Sequence, residues 1–170
     1  MPRVQLIETR EQASPEQQEV FDHIVSTRGR MLRPYAAMLH RPDIARATAD
    51  LGAVIRYAST LSDHDRELAI VTTAIERDCG FEWDSHHPLA KEAGVSEATL
   101  EAVRSGADVA DERDARIVAY VRSLTRTGKV ETATFDNAHA LFAEEGVVEL
   151  TTIVGYYTLL AMLMNAVEAC

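Results

Sequence analysis

The sequence predicts an all-α fold, and three observations carry that prediction. Apolar residues recur at helical spacing, as in Val20, Phe21, Ile24 and Val25, or Leu68, Val71, Ile75 and Cys79. Helix start and stop signals bracket such runs at Ser14, Ser62, Gly94 and Ser96. No segment shows the sustained alternation of apolar and polar residues that a half-buried strand requires.

The elements follow in order. Ser14-Pro15-Glu16-Gln17 combines a serine cap, a proline at the first helical position and a glutamine at the third, so a helix starts there. Arg41-Pro42 breaks the chain ahead of a helix carrying Ile44, Ala47, Leu51, Val54 and Ile55. Ser62 caps the next helix, with Asp63 and Asp65 in its first turn, where the helix dipole favours negative charge. Its apolar stripe ends at Cys79, and Gly80 is placed at the following turn. A helix is then expected from about Glu82 to Gly94, a left-handed stop. Ser96 caps a short helix, and three more are expected at about 111–126, 132–144 and 147–167. The last carries Tyr156, Tyr157, Leu159, Leu160, Met162 and Leu163 and has almost no polar face. Such a helix is expected to be buried all round, against another subunit as well as its own core.

A chain of 170 residues suits one structural unit with a real core. The expected division is an N-terminal helical extension over 1–50, packed on a core domain over 51–170. A net charge of −10 disfavours nucleic acid, whose phosphates need a basic face, and an anionic membrane surface. The apolar run from Thr151 to Met164 is shorter than the roughly 20 residues a bilayer needs, so no membrane partner is expected. Two cysteines, Cys79 and Cys170, make no disulfide framework. With no secretory signal at the start, a cytoplasmic location is the expectation.

Polar chemistry concentrates between Cys79 and Gly94, in CGFEWDSHHPLAKEAG. Cys79 ends an apolar stripe at a helix junction, where it is either a small buried hydrophobe or a thiol activated by the following amides. Glu82 and His86 stand four residues apart and share a helix face. A carboxylate beside an imidazole orients the ring and sets its protonation, which makes it a usable general acid or base. Trp83 packs beside them, His87 points elsewhere and Asp84 faces out. A metal could in principle take His86 and Glu82 with Glu67 or Cys79. No His-Glu-x-x-His or second Glu-x-x-His run supports one, so no metal is expected. Nor is there a phosphate loop or dinucleotide fingerprint, and no cofactor is expected.

Glu67, Cys79 twelve residues on and His86 seven further resemble the carboxymuconolactone decarboxylase and alkylhydroperoxidase D-like (AhpD-like) family. The likeness is most specific from about Arg66 to Leu100, and extends more loosely to Tyr156-Tyr157 and Asn165-Ala166. It implies an all-helical domain built around an antiparallel helical hairpin, assembled as a trimer or hexamer with sites near subunit contacts. It further implies that Glu67 is a relay glutamate, Cys79 the first cysteine of the family's peroxidase motif and His86 its histidine. Glu82 stands where that branch has its second cysteine, and Phe81 replaces a polar residue. A local disulfide cycle is therefore lost.

The leading expectation is a cofactor-independent acid–base enzyme, with Glu67, Cys79, Glu82 and His86 catalytic and Trp83, Phe81 and Tyr57 binding the substrate. The reaction would be a decarboxylation or related proton transfer on a small carboxylated or lactone-like molecule. Two alternatives stand beside it: a thiol-dependent hydroperoxide reductase working through Cys79, and a non-catalytic helical oligomer that binds a ligand or partner. On helix arithmetic alone, in a straight hairpin turning at Cys79-Gly80, His86 lies about 10 Å beyond the turn and Glu67 about 18 Å before it. They are not directly opposed in that geometry.

Overall fold

The computed structural model describes all 170 residues and contains helices and their connections, with no strand. It divides into two compact units, residues 1–58 with 163–170, and residues 59–162.

The first unit holds a single 3₁₀ turn at Arg10–Gln12, then α1 (Pro15–Arg28), α2 (Arg33–Met38) and α3 (Pro42–Tyr57). The Ser14 capping box forms as expected. The Gln17 amide donates to the serine hydroxyl at 3.4 Å, and the Ser14 amide donates to Gln17 Oε1 at 2.8 Å. α1 and α2 both pack on α3. The Arg28 guanidinium ties them together: it lies 4.7 Å over the Tyr35 ring and donates to the Ala49 carbonyl at 2.7 Å. The six-residue α2 escapes a periodicity search because it is too short to show a repeat. It still buries every residue from Pro34 to Met38.

The second unit contains α4 (Asp63–Glu76), α5 (Gly80–Glu92), α6 (Glu97–Ser105), α7 (Glu112–Thr127) and most of α8 (Thr132–Ala166). α4 is its centre, packed against α5, α6 and α7. The sequence suggests one apolar stripe on α4, but every residue from Asp65 to Ala74 is buried. Its threonines can go inside because their hydroxyls are satisfied on the helix itself. The Thr72 and Thr73 hydroxyls donate to the Leu68 and Ala69 carbonyls at 2.7 and 2.8 Å. Leu68 and Ile70 are fully buried, each contributing about 1.5–3 kcal/mol of transfer free energy.

The turn after α4 also differs from expectation. Asp78, not Gly80, takes the left-handed conformation, with φ 50°. The Cys79 amide reaches the Ala74 carbonyl at 2.9 Å and the Asp78 amide reaches Ile75 at 3.1 Å, which closes the helix as a Schellman motif. Cys79 is consequently the N-cap of α5, and Gly80 is its first residue, two positions ahead of the expected start at Glu82.

The two helices expected at 132–144 and 147–167 are both present. They run on from one another as α8 and are separated by a break at Ala143 (φ 53°, ψ −168°), where the backbone leaves helical geometry. Gly146 accommodates the break: a Cβ there would stand 2.6 Å from Phe142 Cβ and 3.2 Å from Leu61 Cδ2. α8 is long and apolar enough to cross a membrane by length and composition, with mean hydropathy 1.6 over its most apolar stretch. Half of that stretch is buried inside the protein, led by Leu150, Ile153 and Met164. Within the single chain it keeps an exposed apolar side, where Val148, Leu159 and Met162 are 66%, 46% and 62% exposed. α4 is the helix whose residues from Asp65 to Ala74 are all buried within the chain.

Candidate active site

The site lies in the second unit, where α4 meets α5. Glu67 sits one turn into α4 and His86 midway along α5, both almost fully buried. His86 Nδ1 donates to Glu67 Oε2 at 2.7 Å. A carboxylate only accepts, so this bond assigns the proton to Nδ1 and turns Nε2 to the opposite side. There Glu82 Oε2 stands 3.6 Å away, one helical turn back on α5. The imidazole is thus held between two carboxylates that are 3% and 4% exposed at their side chains.

Helix arithmetic from Cys79-Gly80 left Glu67 and His86 apart. The three-residue connection explains why they meet. Counted from the true helix ends, Glu67 lies nine residues before Glu76 and His86 six after Gly80. That is about 13 Å against about 9 Å along the axes, a difference two side chains span.

Aromatic rings wall the imidazole. Tyr157 from α8 meets His86 edge-on, with centroids 5.1 Å apart, and Tyr156 packs edge-on against Tyr157 at 5.2 Å. Sequence reasoning did not include Tyr157 in the site. It stands 71 positions from His86, and no spacing rule connects two helices so far apart. Trp83 is 8% exposed; its ring lies 5.0 Å from that of His87 and 5.7 Å from the Arg104 guanidinium.

Cys79 is buried, 2% exposed, at the N-cap of α5. Its carbonyl accepts the Trp83 amide at 3.2 Å, so its backbone starts the helix that carries Glu82 and His86. Phe81 is half-buried on α5. Tyr57 ends α3 in the first unit, is 63% exposed, and its hydroxyl donates to the Thr27 carbonyl at 3.4 Å. The structure therefore brings Glu67, Glu82 and His86 together, and places Trp83, Phe81 and Cys79 on or at the head of the same helix.

A second polar network braces the start of α4. Glu149 of α8 accepts hydrogen bonds from the Ser59 and Thr60 hydroxyls and, at 2.9 Å, from the Thr60 amide. Burial works against its charge, but these hydrogen bonds and the nearby Arg66 prevail and hold its carboxyl below the usual range. Asp65 is likewise held low: burial opposes ionisation, yet the paired Arg113 hydrogen bonds at 2.7 and 3.2 Å and the Ser62 hydroxyl outweigh it. Asp114 goes the other way. Burial pushes it up more than the Thr99 hydroxyl, at 3.0 Å, and the neighbouring His64 pull it down. No group of three His, Cys, Asp or Glu side chains is arranged to hold a metal ion.

Comparison with known proteins gives a consistent frame. The model of the carboxymuconolactone decarboxylase family matches residues 42–122, which include Glu67, Cys79, Glu82 and His86. No curated protein matches the sequence. Among solved structures, an uncharacterised peroxidase-related protein with an alkylhydroperoxidase AhpD core from Ralstonia eutropha JMP134 superposes with TM-score 0.79. It is 16% identical over 99% of this chain and 91% of its own. The debrominase Bmp8, a cysteine-to-alanine variant in complex with 2,3,4-tribromopyrrole, gives TM-score 0.76 at 16% identity, covering 100% and 93%. A peroxidase-related protein from Silicibacter sp. TM1040 gives 0.76 at 16%, covering 98% and 90%. At such identities the likeness is one of fold.

Proposed function

The chain belongs to the carboxymuconolactone decarboxylase family through residues 42–122, and on that premise we propose that it is a cofactor-independent acid–base enzyme. Its reaction is a decarboxylation or related proton transfer on a small carboxylated or lactone-like molecule. One observation carries this: a buried imidazole whose Nδ1 proton is fixed on Glu67 at 2.7 Å while Nε2 faces Glu82 at 3.6 Å.

In this mechanism Glu67 sets the tautomer and offsets the charge of the imidazolium. His86 Nε2 exchanges the proton with substrate, and Glu82 orients substrate or passes that proton on. In a decarboxylation the bond to the carboxylate breaks, carbon dioxide leaves, and the electron pair passes to a conjugated carbonyl as an enolate. Carbon then takes the Nε2 proton of the imidazolium, which His86 had accepted from the substrate's own carboxyl group or, by way of Glu82, from solvent. The Nδ1 proton stays in its hydrogen bond to Glu67. Burial strengthens each of these charge interactions, because little water competes. Trp83 and Phe81 supply apolar surface to the substrate's carbon skeleton. We extend the proposal to a homo-oligomer, a trimer or hexamer, in which a second copy covers the exposed Leu159 and Met162 of α8.

A second reading places the chemistry on Cys79, as a thiol-dependent hydroperoxide reductase. The position of Cys79 at the head of α5, where the helix dipole favours a thiolate, supports it. The two separate in one assay. Small carboxylated lactones and β-keto acids are offered in deuterated water, and carbon dioxide release and deuterium uptake are followed. The acid–base reading expects His86→Asn and Glu82→Gln to lose at least about a hundredfold in turnover, and Cys79→Ser, at a supporting group, to lose less than either. Loss confined to Cys79→Ser would discard it.

A further inference from the structure

We propose that Arg66 is a positioning residue for this site: a fixed positive charge that keeps the Glu67 carboxylate turned on His86 Nδ1. The inference rests on the acid–base reading above.

Arg66 precedes Glu67 on α4 and is 9% exposed, an unusual depth for an arginine. Its Nη1 pairs with Asp63 Oδ1 at 2.9 Å, near the surface, where Asp63 is 76% exposed. Its Nη2 stands 3.6 Å from Glu67 Oε1, the oxygen that does not take the imidazole proton. Its Nε is buried with no hydrogen-bond partner. At 3.6 Å the Arg66–Glu67 contact is too long for a hydrogen bond, so the guanidinium acts on Glu67 through its field rather than as a two-pronged clamp. Across α4 its field also reaches Glu149 of α8.

The charges thus alternate inward from the surface: Asp63, Arg66, Glu67, His86, Glu82. Without Arg66, two carboxylates, Glu67 and Glu82, flank the imidazole with His86 as the sole cation partner in the chain of contacts. The pair would then hold its proton more tightly and release it at higher pH. Arg66 offsets that excess negative charge, so that the Nε2 proton of the imidazolium can leave while the Nδ1 proton stays in its hydrogen bond to Glu67. The groups in contact with the pair are Arg66 from α4, Glu82 from α5 and Tyr157 from α8; Asp63 and Glu149 are linked to it through Arg66.

The test follows the His86 ring signals against pH by nuclear magnetic resonance, assigned by comparison with His86→Asn. In Arg66→Gln the midpoint rises by about one pH unit, and in Arg66→Lys, which keeps the charge, it stays within about 0.3. Asp63→Asn, an exposed change that leaves the core intact, moves it the other way, by a few tenths. A purely structural arginine would lower stability and leave the midpoint in place. An unmoved midpoint in Arg66→Gln, or a rise in Asp63→Asn should Arg66→Gln not fold, overturns the proposal. These outcomes are independent of turnover: loss of activity in His86→Asn with an unmoved Arg66→Gln midpoint removes this inference alone, whereas full activity in His86→Asn removes the acid–base reading.

Discussion

His86 donates through Nδ1 to Glu67 Oε2 at 2.7 Å across the α4–α5 packing, and both side chains are at most 6% exposed. A buried pair of this kind is costly to break from one side, because the remaining partner keeps its desolvation penalty. Glu67→Ala is therefore expected to lower stability by about 3 kcal/mol, and Glu67→Gln, which keeps a polar partner, by less than half of that. Urea denaturation of the two variants against wild type measures both. Equal, small losses would mean that the pair does not hold α4 and α5 together.

Gly146 permits the break in α8. A methyl group at that position meets Phe142 Cβ at 2.6 Å, a backbone-anchored atom that cannot swing aside. Gly146→Ala should destabilise by about 2 kcal/mol, read as a fall in the urea midpoint. An unchanged midpoint would show that α8 can straighten without loss.

Glu149 and Asp114 give opposite pH signatures. The folded-state value of Glu149 is lowered by the Ser59 and Thr60 hydrogen bonds prevailing over burial. Its contribution is complete above the unfolded value of about 4.5 and is lost as pH falls through the lower folded value. Glu149→Ala should thus cost about 2 kcal/mol at pH 7 and progressively less below pH 4. Burial raises Asp114, so its ionisation costs stability as pH rises from about 3.8 through the folded value. Asp114→Asn should gain on wild type over that same rise. Stability curves from pH 3 to 7 check both signs, and parallel curves would contradict them.

How much of this was legible in the sequence depended on range. Local signals carried the caps: Ser14, Ser62 and Ser96 each accept the amide three residues on, and Gly94 takes the left-handed stop. The spacing of Glu82 and His86 on one helix put them on one face, as found. What failed needed tertiary information. The Asp78 turn replaces the one expected at Gly80, because a non-glycine left-handed residue leaves little trace in sequence. α4 is buried on all sides because its threonines satisfy themselves against their own helix, which apolar periodicity does not register. Tyr157 and Arg66 enter the site through packing alone.

The exposed ridge of α8 makes assembly testable. Leu159 and Met162, 46% and 62% exposed on the single chain, are proposed to be covered by another copy. Light scattering should give a mass several times the 18.8 kDa of one chain. Leu159→Glu with Met162→Glu should reduce it to the single-chain mass. A wild-type mass of 18.8 kDa would remove the oligomer from the account.

The central claim is that chemistry runs through His86 and its carboxylates rather than through the thiol, and the reactivity of Cys79 tests it most directly. Cys79 is 2% exposed and Cys170 is exposed, so the folded protein carries its own reference. Alkylation at pH 7 is followed by mass spectrometry at both cysteines, before and after hydroperoxide. The account predicts that Cys79 reacts at least about tenfold more slowly than Cys170 and forms no sulfenic acid. A Cys79 that outpaces Cys170 and is oxidised by hydroperoxide would contradict it and place the reaction on the thiol.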